Sequence, residues 1–378
     1  VVQGERQIGR IAARKASGEP DALAFARNSA EWLEKFGAGD TDKSESSAIL
    51  VTYLNVADQY MLGRQFSDAL RLCRRGSNLA HSFHSELYVG TFLWVSGEVF
   101  RRQGDLDEAL KQTRESARVL ERGSRQADQG PTMNLILALI YQGRILGEDQ
   151  AISLNRSEEA AEVLERAFGM ADTFVHQDPS DQMARGRLAM AGIALANILR
   201  HSDAQRALTI YDHVLRHMAE IKDNSSFRRF EASALAGSSY PLRRLGRTGE
   251  AKQRLDAAFE RLRQVKFYPA EKIKLGSEAD AALSALADYE AGNGNIPDAI
   301  GIYERLLGQV LAWGPEPNTN LMDAVHLSRL YSALIVLHRG AFRRARVDAL
   351  ESRRTELWRS WDQKLPNNSF VRRQLEAR

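Results

Sequence analysis

Apolar residues recur along this chain at the three- and four-residue spacing of a helix face, in Ala-, Leu-, Arg- and Glu-rich segments of helix length that run from end to end. Alternating Val/Ile/Thr segments, the mark of a half-buried strand, are scarce, and only nine prolines interrupt the pattern. The pattern predicts an all-α fold. No uninterrupted apolar run approaches the roughly 18 residues needed to cross a bilayer, so no membrane span is predicted.

The helical pattern is also self-similar. In "LWVSGEVFRRQGDLDEALKQT", Gly97, Phe100, Gly104, Leu106 and Ala109 follow in order, and related runs are "YMLGRQFSDALRLC" with Tyr60, Phe66 and Ala69, "RRLGRTGEAKQRL" with Gly246 and Ala251, and "EAGNGNIPDAIGIYERLL" with Gly294, Ile296, Ala299 and Tyr303. Weaker copies surround Ala160 and Ala207. Each position has a packing reason. Glycine supplies the left-handed backbone that ends a first helix, and a following Asp, Asn or Ser favours the start of a second. Alanine early on the second helix lets the two approach closely, while Leu106, Phe66 and Ile296, three residues before it, fill the hairpin interior.

These runs resemble the tetratricopeptide repeat (TPR), which implies a right-handed α-solenoid of about six or seven helix–turn–helix hairpins. The alanines at 69, 109, 160, 207, 251 and 299 are 40 to 51 residues apart, longer than the family's period of about 34. The excess predicts loops in "GEDQAISLNRS", "ERGSRQADQGP" and "AWGPEPNTN". One domain is expected over 1–378: capping helices over 1–45 with Trp32, Leu33 and Phe36 as their apolar face, repeats over 46–340, and a closing helix and tail over 341–378. Trp358 and Trp361, three apart in that helix, are expected to cover the last exposed core surface.

The loop-extended repeats, "SYPLRRLGRTGEA" and "ELWRSWDQKLPNNSFV" resemble the C-terminal repeat region of bacterial serine/threonine kinases typical of acidobacteria. That resemblance implies a sensory or docking domain and admits an extracytoplasmic location. The kinase itself is not expected in this chain, which has no Gly-rich phosphate loop, His-Arg-Asp or Asp-Phe-Gly. The start at Val1 rather than Met suits a piece excised from a longer protein.

Composition narrows the function further. A net charge of +3 over 378 residues is close to neutral, so neither nucleic acid nor a membrane surface is an expected partner. One cysteine, Cys73, excludes an internal disulfide and any multi-cysteine metal site. His213 and His217, four apart on a helix, could share a metal with Glu220, and His81 and His84 follow the Cys73 helix. Without a His-Glu-x-x-His signature, both sets read as ordinary polar positions. The acids Asp105, Asp107 and Glu108 read as a capped helix start rather than a cation loop, because the other copies keep the glycine and alanine but not the acids. No catalytic residue, cofactor or metal is assigned, and the chain is not expected to be an enzyme.

Binding is the expected role. In TPR arrays the first helix of each hairpin faces the concave groove, and counting back from the marker alanines places Asp58 and Met61 there, then Trp94, Glu98, Arg101 and Arg102, then Arg144, then Tyr240, Arg243 and Arg244. Arginines beside aromatic rings suit a peptide or protein partner bearing carboxylates; the competing reading pairs these arginines with neighbouring acids. A long open groove with the arginines exposed favours a peptide or protein partner. A deep closed pocket favours a sensor of small molecules or signal peptides.

Overall fold

The computed structural model describes residues 43–126, 130–221 and 224–376, all of whose regular structure is helical. Of the capping helices expected over 1–45, residues 1–42, with Trp32, Leu33 and Phe36, lie outside the described residues, and 43–45 belong to the first helix described. Fifteen helices follow in order: α1 (Lys43–Leu62), α2 (Phe66–Ser82), α3 (Glu86–Gln103), α4 (Leu106–Gln126), α5 (Gly130–Gly147), α6 (Ser157–Gln177), α7 (Gln182–Leu199), α8 (Ala204–Ala219), α9 (Ser225–Arg244), α10 (Thr248–Gln264), α11 (Glu278–Gly292), α12 (Ile296–Trp313), α13 (Leu321–Gly340), α14 (Arg344–Lys364) and α15 (Ser369–Glu376). They form seven hairpins, odd helix then even, with α15 after the last. Two compact units divide them, residues 1–142 and 143–378, with the border inside α5.

All six marker alanines are fully buried, each three residues into its second helix. Opposite Ala109, Gly97 of α3 sits so close that a Cβ there would lie 2.6 Å from the Thr113 methyl and 3.1 Å from the Ala109 carbonyl. Ser116 of α4 also donates to the Gly90 carbonyl of α3 at 2.6 Å. The contact is helix backbone on helix backbone, which only small residues permit.

The left-handed residue lies two positions before the second helix in most hairpins. Gly104, Gly246 and Gly294 hold it as expected, but Arg64, Asn155 and Phe342 hold the equivalent place with φ of 60°, 59° and 56°. In the first hairpin the left-handed residue is therefore Arg64, not Gly63. Asp105 caps α4 by accepting from the Glu108 amide at 3.2 Å, and Glu108 accepts from Lys111 and Gln112. That accounts for the acidic run as a helix start.

Two expectations about boundaries change. "ERGSRQADQGP" is largely helix, since α4 continues to Gln126 and α5 begins at Gly130. The stretch from 341 is more than a cap: α14 is the second helix of a seventh hairpin, with Val347 at the marker position, 7% exposed, in place of alanine. Trp358 and Trp361 close this end, their indole N–H groups donating to Ser328 Oγ and the Pro317 carbonyl, both at 2.8 Å. α15 lays Phe370 edge-on against Trp358.

Candidate ligand-binding site

In the unit that begins at Gly143, α7, α9, α11 and α13 line a cavity of about 880 Å³, with an adjoining recess of about 310 Å³. The cavity's other walls come from the loop after α5 and from α14 and α15. That loop is folded rather than slack. Leu154 and Arg156 donate to the carbonyls of Ile145 and Leu146 at 2.8 Å, and Ile152 is fully buried. Arg373 of α15 donates to the Ser153 carbonyl at 2.5 Å, so the loop and α15 meet in the cavity wall.

Three groups of charge face this space. Asp288 of α11 accepts from Tyr240 of α9 at 2.8 Å and from Tyr303 of α12 at 2.7 Å. Burial, reinforced by the Asp288 charge, pushes both phenols well above the usual tyrosine range. Arg329 of α13 pairs with the fully buried Asp280 at 2.8 Å while its Nε is left without a hydrogen bond. Asp280 is fixed at the start of α11, which Ser277 caps, and also accepts from the Gly276 amide at 2.8 Å.

On the loop, Asp149 accepts from Arg200 at 2.5 Å and contacts His201 at 3.0 Å. Burial opposes its ionisation, but Arg200 and His201 outweigh burial and hold the carboxyl below the usual range. Arg200 in turn lies over the Tyr240 ring, 4.3 Å from its centre. Arg354 and Arg373 also line the cavity. Arg354 donates to Ser328 Oγ and the Gln374 carbonyl, Arg373 to a carbonyl and against the Phe370 ring, and burial lowers the pKa of both guanidiniums. Arg354 and Arg373 thus bring two half-buried guanidiniums to the lining of the cavity.

No protein-family model matches the chain, and no curated protein matches it in sequence. Solved structures do resemble it. The Rap protein complexed with Competence and Sporulation Factor aligns over 100% of this chain and 97% of its own, with TM-score 0.53 and 13% identity. Aspartyl phosphate phosphatase F from Bacillus subtilis aligns over 93% and 79%, with TM-score 0.55 and 9% identity. NprR in complex with its cognate peptide NprX aligns over 98% and 96%, with TM-score 0.50 and 12% identity. The fold is a TPR-like helical-repeat solenoid.

Within this solenoid the residues expected in the groove have different fates. Arg144 and Tyr240 line the recess, although Arg144 pairs with Glu148 at 2.9 Å. Arg243 and Arg244 line a separate pocket of about 270 Å³ beside Tyr240, with Arg244 donating to the His201 carbonyl. The other six lie in the first unit. Trp94 stacks on Tyr141 with ring centres 4.7 Å apart, and Asp58 is half-buried. Met61 belongs to the core. Arg101 is fully buried and bonds Glu98 at 3.2 Å, and Arg102 bonds the same carboxylate at 2.8 Å. Arg101 is therefore unavailable to a ligand, because the buried Glu98 holds both arginines of the pair.

Several cavity residues on the first helices of the hairpins stand at offsets that repeat from hairpin to hairpin. Glu98 and Tyr240 each stand eleven residues before a marker alanine, and so does Asp288 before Ala299. Ser284, fifteen before Ala299, matches Trp94 before Ala109. The same offsets from Val347 give Ser332 and Val336, which also line the cavity. The histidine expectation changes as well. Glu220 is drawn to Arg185 at 2.5 Å, and the group that reaches His213 is Asp172.

Proposed function

We propose that this chain is a non-catalytic recognition domain that grips a short peptide through an anionic group, its terminal carboxylate or an acidic side chain, in the cavity after Gly143. The observation that carries the reading is the cavity itself. At about 880 Å³ it falls within the range of ligand pockets, too small for a broad protein surface, and it joins half-buried arginines to the apolar, 65% exposed Val336. Two of the similar solenoids are described as complexes with a factor or a cognate peptide, which supports the same class of ligand.

The test is selection from a random peptide library with free C-termini, followed by titration of the winners. Changing Arg354 and Arg373 to Glu is expected to weaken binding at least about tenfold, as for removal of a charge-assisted, partly desolvated contact. Unchanged affinity in the double variant removes the proposal. If only small anionic metabolites bind, the domain is a small-molecule sensor instead, a reading that the volume of the cavity also supports.

The resemblance carried by "SYPLRRLGRTGEA" and "ELWRSWDQKLPNNSFV" supports a finer proposal, that the domain is the sensory or docking part of a bacterial serine/threonine kinase. A reading frame upstream of Val1 without a phosphate loop or a His-Arg-Asp motif excludes it.

A further inference from the structure

Away from the cavity, α6 and α8 bring three ligand-type side chains together. His213 Nε2 stands 2.6 Å from Asp172 Oδ1, and His217, one turn further along α8, completes a set whose ligand atoms all lie within 4.8 Å of one another. All three are half-buried. Around a zinc ion with bonds of about 2.0 Å, tetrahedral ligand atoms stand about 3.3 Å apart. The observed spread brackets that value, so small side-chain rotations would enclose an ion.

We propose that Asp172, His213 and His217 form a binding site for a divalent transition metal of the zinc class. Two histidine nitrogens and one carboxylate oxygen make a three-ligand set that leaves a fourth position open, and imidazole suits these ions better than Ca²⁺ or Mg²⁺. His217 is prepared for the role. Its Nδ1 is buried without a hydrogen-bond partner.

His176 supplies a flanking donor. Its Nδ1 bonds the Asp172 carbonyl at 2.8 Å and lies 3.5 Å from the carboxylate, while its ring packs edge-on to His217. The exposed Arg216 approaches His213 Nδ1 at 3.3 Å, which places the His213 proton on Nε2, facing Asp172. A metal at Nε2 moves that proton to Nδ1 and requires Arg216 to swing into solvent, which its exposure permits.

The experiment is titration of metal-stripped protein with Zn²⁺ against a competing chelator, and with Co²⁺ to read coordination from its visible spectrum. One ion per chain is expected, with a tetrahedral Co²⁺ spectrum and a rise in melting temperature on saturation. Asp172→Asn, His213→Gln and His217→Gln should each weaken Zn²⁺ binding at least about tenfold, since loss of mere outer-shell partners already costs 10- to 100-fold. Glu220→Gln should leave it unchanged. Melting curves without metal check that each variant folds. Sub-stoichiometric binding, or tight binding that survives His213→Gln and His217→Gln, overturns the proposal, as does a loss in Glu220→Gln equal to that in Asp172→Asn.

Discussion

His338 shows how a single residue can set a solution property of the whole chain. It is 1% exposed, its Nδ1 has no hydrogen-bond partner, and its Nε2 stands 3.5 Å from Glu304. Burial outweighs that carboxylate and keeps the imidazolium pKa below the ordinary 6.5, a direction His326 shares through burial and the nearby Arg329. The unfolded chain then binds more protons than the folded one just below pH 6.5, so stability is complete above that pH and falls as the solution is acidified. The unfolding free energy from urea titrations should drop between pH 7.5 and 5.5, by at most about 1.4 kcal/mol per pH unit for each such histidine, and His338→Gln should flatten the decline. None of this was legible in the sequence, where a histidine in the last turn of α13 looks like any polar position. Arg101 teaches the same lesson: an arginine at a groove register can be buried by its own neighbour, and only the Glu98 carboxylate three residues before it hinted at the outcome.

Between pairs of helices, legibility was much higher, because the repeat is written in residue size. The marker alanines were found from sequence, and every one is fully buried where two helices touch. Val347 hid the seventh hairpin because it is larger than alanine, and with that anchor missing, Ser332 and Val336 could not be counted into the cavity. The tolerance for size is expected to differ sharply between hairpins. At Gly147 a Cβ would lie 2.8 Å from that of Ala160 and 3.0 Å from the Ser157 backbone, so α5 and α6 have no slack there. Ala160→Leu should cost at least about 1–3 kcal/mol in urea unfolding, the range for overpacking a close-packed contact. Thiol chemistry follows the same packing, since burial raises the Cys73 pKa to about 12 and leaves it a small apolar filler.

For the molecule as a whole, the sequence carried the class and the repeat but not the cavity, because the cavity depends on side chains brought together from opposite ends of one unit. Asp149 and Ser153 lie in what reads as an ordinary insertion, and Arg373 in what reads as a tail. Removing residues 366–378 is therefore expected to leave most of the far-ultraviolet helix signal in place while lowering the melting temperature, as Trp358 loses Phe370, and abolishing peptide binding. A truncated chain that binds as well as the full one would show that α15 is no part of the site. The bond from Arg373 to Ser153 joins residues 220 apart in a fold whose other contacts are mostly between neighbouring helices. Each hairpin can thus form from near neighbours in the chain, but the binding wall exists only once α15 has docked on the loop after α5. Recognition by this domain would therefore be lost before its helices are, since a copy with α15 undocked could keep most of its helices and still be deaf to its ligand.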